Sequence, residues 1–296
     1  MKANRIKENR TFAIAIHLIL VTTSLLCLFP LVHVLAVSFS SGSAVAAGKV
    51  TAWPVDFTLT AYRYALERVE FWRSLVVTLE RIGIGWGVSM VMTILIAYPL
   101  SKDSNEFRYR TFYVWIFFFT TLFSGGLIPF YMVIRNLHML DTIWALVLPA
   151  AVPVFNILIL LNFFRQLPRE VSESAQMDGA SHMTILWKVY VPMSTAALAT
   201  LTLFVLVTHW NSWFDGLILM NKPEHYPLQS YLQTVVLQKD ISLLVKNTSD
   251  LNELAKMSDR TLKSSQIFLG ALPIMITYPF LQKYFVKGIV LGSVKG

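Results

Sequence analysis

The chain has 296 residues, 55% of them hydrophobic and only 14% charged, with a mean hydropathy of +0.57 and a formal net charge of +8. Soluble domains carry about 25% charged residues, so this is the composition of a membrane protein. The basic excess is spread over short loops and forms no stripe, which argues against a nucleic-acid-binding surface, and the single cysteine, Cys27, allows neither an internal disulfide nor a multi-cysteine metal site.

Several apolar runs approach or exceed the ~20 residues needed to cross a bilayer core. Each crossing must be helical, because lipid cannot satisfy loose backbone groups. Residues 1–11 hold Lys2, Arg5, Lys7 and Arg10, a basic segment like that of a secretory signal. The apolar run that follows is far longer than the ~7–15 residues of a signal core, so a retained first span over 12–39 is predicted. The second span is predicted at 74–100, ending at Tyr98-Pro99. The third, 112–134, contains Gly125-Gly126 and Pro129, and the fourth, 143–164, contains Pro149 and Pro153. The fifth is placed at 196–220 and the sixth at 266–286, the latter with Pro273 and Pro279. The expected fold is therefore an all-α membrane protein: a cytoplasmic N-terminus over 1–11 and one transmembrane domain over 12–296.

Orientation follows from the basic residues of the short loops. Lys102, Arg108, Arg110, Arg165, Arg169, Lys188, Lys283, Lys287 and the N-terminal cluster share one side if both termini are cytoplasmic. The segments 40–73 and 221–265 then lie outside and are too short for soluble domains of their own; they read as caps or docking loops. The loop 165–195 lies in the cytoplasm.

Few stretches carry chemistry. GSAVAAGKV, Gly42–Val50, resembles a phosphate loop, but it has five residues between its glycines and Val50 where Ser or Thr is needed. The six histidines include no i, i+4 pair and no H-E-x-x-H, so no metal is expected. No G-x-S-x-G occurs, so no nucleophile elbow is expected either.

The cytoplasmic loop is more informative. Pro168 suits the first turn of a short helix, and Glu170 and Glu173 follow where the helix dipole favours acids. Gly179 suits a left-handed C-cap, and Ser181 is a good N-cap for a second helix. Met183, Leu186, Trp187 and Tyr190 recur at helical spacing, an apolar stripe able to lie against other spans. The product is a helix–turn–helix elbow; an ordinary solvated loop is the alternative that the residues alone leave open.

Glu173-Ser174-Ala175, three residues, Gly179, nine residues and Val189-Tyr190-Val191-Pro192 resemble the EAA loop of ABC importer permeases. Ser174, Val189 and Val191 are mild departures from that pattern. MDGAS, Met177–Ser181, is similar to the sugar-importer version of the loop. SGGLIPFY (124–131), NFFRQLPRE (162–170), WNSWFDGL (210–217) and the C-terminal YPFLQKYFVKGIVLGSVKG (278–296) extend the resemblance over nearly the whole chain. They look like the oligosaccharide and polysaccharide branch of the carbohydrate-uptake, maltose-G-type permeases, members of which are associated with pectin- or alginate-derived uronates.

The resemblance implies a type I ABC importer permease fold and a bacterial cytoplasmic-membrane location. It implies a second homologous permease, a dimer of ATP-binding subunits and an extracytoplasmic solute-binding protein as partners, besides lipid and an oligosaccharide substrate. ATP and Mg would sit on the ATPase; this chain would bind no cofactor and catalyse nothing. Coupling falls by position on Glu173, Ser174, Ala175, Asp178, Gly179, Ala180 and Ser181. Docking of the binding protein falls on the loop from Asn221 to Ser265. An ion-coupled secondary sugar transporter is the competing class, but it would show internal repeats and ionisable residues at mid-membrane.

Candidate substrate contacts come from residue chemistry. Asp215 lies near the outer end of the fifth span, where a carboxylate must face a cavity or a partner. Trp210, Asn211 and Trp213 lie beside it, with rings able to stack on sugars and an amide able to bond hydroxyls. An interfacial aromatic belt is the other reading of these residues. Asn156, in the fourth span, either lines the pathway or bonds a neighbouring helix. Asp215 would repel a uronate cargo, which argues for a structural role there or for a neutral glycan.

Overall fold

The computed structural model describes residues 10–237 and 258–293, and these fold entirely into helices, turns and connecting segments. The N-terminal segment 1–9, residues 238–257 of the expected docking loop, and 294–296 lie outside the described residues. Helix α1 is Arg10–Ser38 and carries Pro30. It is apolar on all sides and none of its spanning window is buried within the chain, as suits a helix solvated by lipid or by another subunit. Two short helices follow, α2 (Gly42–Ala46), whose N-cap Ser41 accepts the Ala44 N–H at 3.3 Å, and α3 (Thr60–Glu67).

Two compact units divide the chain: Met1–Arg68 with Val235–Ala271, and Val69–Thr234 with Leu272–Gly296. In the first, Phe39 stacks on Phe57 and Tyr62, and the Ser38 hydroxyl meets the Tyr62 hydroxyl at 2.7 Å. Ser40 accepts the Val55 N–H at 3.0 Å. Ala36, Val37, Ala44, Val45 and Val50 form its small core. The segment after α1 is thus folded rather than extended.

The second unit is organised around α4 (Val69–Ser101), whose 33 residues reach about 50 Å. With α1 it is one of two described helices long and apolar enough to cross a membrane unaided. The remaining spanning candidates among the described residues are bent pairs. The segment expected as a span over 112–134 is α5 (Arg110–Leu122) and α6 (Leu127–Asn136), meeting at 113°. The break lies at Gly125-Gly126, where Gly126 takes φ +89°, a conformation that favours glycine.

The segment expected at 143–164 is α7 (Ile143–Val147), a 3₁₀ turn through Pro149, and α8 (Val154–Arg165), bent by 44° at Pro153. The one expected at 196–220 is α12 (Thr195–Asn211), an extended Ser212 and α13 (Phe214–Leu219). Before it come α9 (Arg169–Met177), α10 (His182–Ile185), a π turn over Leu186–Tyr190 and α11 (Val191–Met193). The segment 182–193 meets α12 at 84°. Last come α14 (Leu228–Leu237) and α15 (Asp259–Ser293), which contains the expected sixth segment.

The core of the second unit forms where α4, α8 and α12 cross. Ile94, Ala97, Leu160, Phe164, Leu186 and Leu201 are buried there. Gly85 makes the close approach possible: a Cβ on it would lie 2.5 Å from Nε2 of His209 on α12.

Candidate functional site: a polar elbow and a buried ion pair

The elbow folds as its sequence prescribes up to Ser181. Helix α9 begins after Pro168, and its C-terminus closes with the paired bonds of a Schellman motif. Ala180 donates to the Ala175 carbonyl at 2.9 Å and Gly179 to that of Gln176 at 2.9 Å. Gly179 takes φ +79°, the left-handed value the motif requires. Ser181 then caps α10, accepting the Thr184 N–H at 3.3 Å.

The apolar stripe expected beyond this point is split. Leu186 and Tyr190 are buried, while Met183 is 59% exposed and Trp187 is also exposed. Met183 and Trp187, four residues apart, share the exposed face, and Leu186 and Tyr190, also four apart, share the buried one. The inward face is Ile185, Leu186 and Tyr190.

Glu173, Ser174, Gln176, Met177, Asp178 and Gly179 are exposed. Met177 is 89% exposed. Among the described residues, neither the Glu173 nor the Asp178 side chain makes a hydrogen bond or ion pair.

Behind the elbow lies a polar cavity of about 320 Å³, walled by the ends of α4 and α8, by Arg169, Ser172, Glu173 and Gln176 of α9, and by Tyr190. Lys102, just past α4, is its most buried cation, 9% exposed. Its Nζ lies 5.0 Å from the Tyr98 ring centre, 5.2 Å from that of Tyr190, and 3.5 Å from Glu106. Burial works against its charge, but Tyr190, Tyr98 and Glu106 together outweigh that and hold its pKa above the ordinary lysine value. Arg169 of α9 pairs with Asp103 at 2.6 Å, and Arg165 donates to the Leu100 carbonyl at 3.2 Å.

The pathway candidates at the α12–α13 break fall into different environments. Asp215 is not free. Arg81 of α4, only 2% exposed, pairs with it through both guanidinium nitrogens. Asp215 also accepts from the Ser212 hydroxyl at 2.8 Å and from its neighbour Gly216 N–H at 2.9 Å. Nε of Arg81 donates to Nδ1 of His209 at 3.4 Å, which makes that nitrogen the accepting one. Trp210 is 6% exposed and lines an apolar cavity with Leu79, Leu203 and Pro273, away from the polar cluster. Asn211 is exposed, as is Trp213, which meets Phe214 edge to face. Asn156 is buried in α8.

The described part of the loop that begins at Asn221 is pinned at its start. Asp141, in the α6–α7 connection, accepts the backbone N–H groups of Asn221 and Lys222 at 3.0 and 3.3 Å, and Nδ1 of His225 at 2.8 Å. Thr78 accepts the Leu228 N–H at 2.7 Å.

Arg81, Lys102 and Asp141 are the residues that sequence reasoning missed. A lone arginine inside an apolar span was a readable signal for Arg81, because such a charge needs a partner. Lys102 and Asp141 looked like ordinary loop charges.

Known proteins share this pattern. Residues 89–290 match the family described as "binding-protein-dependent transport system inner membrane component". The chain is 37% identical to the polygalacturonan/rhamnogalacturonan transport system permease protein YtcP of Bacillus subtilis, over 98% of this chain and all of that one. It is 37% identical to protein LplC of the same organism, over 98% and 97% of the two chains. Among solved structures it is similar to a chain of a bacterial ABC transporter involved in the import of the acidic polysaccharide alginate. That match has a TM-score of 0.85 and 34% identity, and covers 94% of this chain and 98% of the other.

Proposed function

The chain belongs to the binding-protein-dependent transport system inner membrane component family, and from that premise we propose that it imports fragments of an acidic polysaccharide. It is a multi-pass permease subunit of an ABC importer, so ATP is hydrolysed on another polypeptide and an ion-coupled transporter is set aside. The class implies an ATPase, a solute-binding protein and a second permease as partners. The finer assignments are ours: two homologous permeases each form half of the pathway, and a dimer of ATPase subunits, carrying ATP and Mg, docks beneath.

The surface from Glu173 to Ser181 is the ATPase contact in this reading. Two unpaired carboxylates flanking an exposed Met177 favour a protein partner, since an apolar side chain left so open gains by burial. The rigid Schellman turn would carry a push without bending. Both termini are then cytoplasmic, and the loop from Asn221 to Ser265 faces the binding protein. Asn211 and Trp213, exposed at the break between α12 and α13, are the pathway contacts kept in this reading; Trp210 and Asn156 serve packing.

The choice of an acidic cargo rests on one observation. The Asp215 carboxylate is compensated by Arg81, so the charge that would repel a uronate is neutralised within the chain. The pectin- and alginate-associated relatives point the same way. The test is substrate-stimulated ATP hydrolysis by the complete importer in proteoliposomes. Oligogalacturonate or oligoalginate should stimulate at least tenfold more than neutral oligomers of equal length. Equal stimulation by a neutral glycan would overturn the acidic assignment and leave the importer assignment standing.

A further inference from the structure

Resting on the coupling role given above to the elbow, we propose that Lys102 is the positioning residue through which the elbow grips α4, making α4 the element that carries its motion across the membrane. Helix α9 touches the α4–α5 connection through the Arg169–Asp103 ion pair, which is exposed and worth little by itself. The buried contact is Lys102. Its ammonium lies over the rings of both Tyr98, on α4, and Tyr190, at the end of the π turn. The two rings meet edge to face at 5.0 Å, and the Tyr98 hydroxyl lies 3.3 Å from Nδ1 of His182, the first residue of α10. Lys102 and Tyr98 together thus tie the end of α4 to the start and the end of the second half of the elbow.

The π turn lies within that grip. Tyr190, its last residue, faces inward with Leu186, against Phe164 and toward Lys102, while Trp187 stays outside. Such turns are frequent at functional sites, and here Tyr190 is one wall of the lysine's site.

Helix α4 then continues, without a break in its helical residues, to Arg81. Twenty-odd residues at 1.5 Å each place that guanidinium about 30 Å from Lys102 along the axis. There it holds Asp215 and His209 at the break between α12 and α13. A stiff rod held by a buried cation at each site moves both together, because packed contacts shift between discrete arrangements rather than stretch.

The experiment uses the complete importer in proteoliposomes and reads sugar uptake and ATP hydrolysis separately. Lys102→Met keeps the apolar stem and removes the charge. Its uptake should fall at least tenfold while ATP hydrolysis without sugar stays within twofold, so that the sugar moved per ATP collapses. Lys102→Arg keeps a cation able to pack against both rings and should restore that ratio to within about threefold. A Lys102→Met complex with the normal ratio overturns the proposal. So does loss of uptake and hydrolysis in proportion without rescue by arginine, which is the signature of misfolding. Gly179→Pro separates the two claims: if it too leaves uptake intact, the elbow is not the coupling surface, whereas if it alone abolishes uptake, only the role of Lys102 fails.

Discussion

Arg81 and Asp215, 134 residues apart, form a two-pronged ion pair that joins α4 to the short helix after the break in the fifth apolar segment. Removing one member leaves a charge without its partner, whereas removing both leaves none. Breaking a buried pair costs about 3–5 kcal/mol, but replacement of both partners by apolar groups is often neutral. Asp215 is about a quarter exposed, which points to the lower end of that range. Arg81→Met should therefore lower the thermal midpoint of the purified complex sharply, and Arg81→Met with Asp215→Leu should recover most of the loss. A double variant no better than the single one would mean that the pair has a role beyond charge compensation.

Gly179 is tested on its backbone. Its φ of +79° is closed to proline, which is locked near −65°, and proline also lacks the N–H that bonds Gln176. Gly179→Pro should abolish uptake while the protein still inserts and assembles, because the turn is exposed and no neighbouring atom lies near the site of a Cβ. Gly179→Ala meets only the left-handed penalty of about 1–2 kcal/mol and should be partly active. Normal uptake and normal ATPase coupling in the proline variant would remove the coupling assignment.

What the sequence made legible was local. The Schellman turn at Gly179 and the cap at Ser181 are set by residues within one helical turn, so propensity and spacing find them. Helix–lipid composition finds α1 and α4 for the same reason. The breaks at Gly126, Pro153 and Ser212 were visible as residues but not as angles, since a bend depends on what packs against each half. The π turn leaves no mark in the spacing, and Trp187 was placed inward because an apolar stripe does not say which of its edges faces the core. Arg81, Lys102 and Asp141 acquire meaning only from partners between 4 and 134 residues away. Glu173 and Asp178 were legible as acids of the elbow, and among the described residues their side chains make no hydrogen bond or ion pair.

Gly85 sets how closely α4 and α12 approach. An added Cβ would stand 2.5–2.9 Å from three atoms of the His209 ring, a buried side chain already tied to Arg81. The helices must then part or the ring must leave its bond. Gly85→Ala should cost about 1–3 kcal/mol, the usual range for overpacking, and Gly85→Val more. The thermal midpoint of the complex reads this, with Gly83→Ala as a control, since open space surrounds Gly83. Equal effects at the two positions would show that helix propensity rather than the close approach is being measured.

Asp141 should give the start of the outer loop a dependence on acid. Burial raises its pKa, but the hydrogen bond from His225 and those from the Asn221 and Lys222 amides outweigh it, so the carboxyl titrates below its ordinary value. With the folded pKa below the unfolded one, the stabilisation is fully present above about pH 3.9, the unperturbed value, and is lost as pH falls through the folded pKa. Amide hydrogen exchange at Asn221 and Lys222 reports it directly. Protection should stay level from pH 7 to pH 5, after correction for the intrinsic rate, and fall below pH 4. Asp141→Ala should abolish that protection at every pH, through both the lost acceptor and the strain of alanine at φ +63°. Asp141→Asn isolates the charge. Asparagine tolerates the same backbone and keeps an accepting oxygen, so partial protection should survive and its acid dependence should vanish. Protection in Asp141→Asn that still falls below pH 4 would assign the titration to another group.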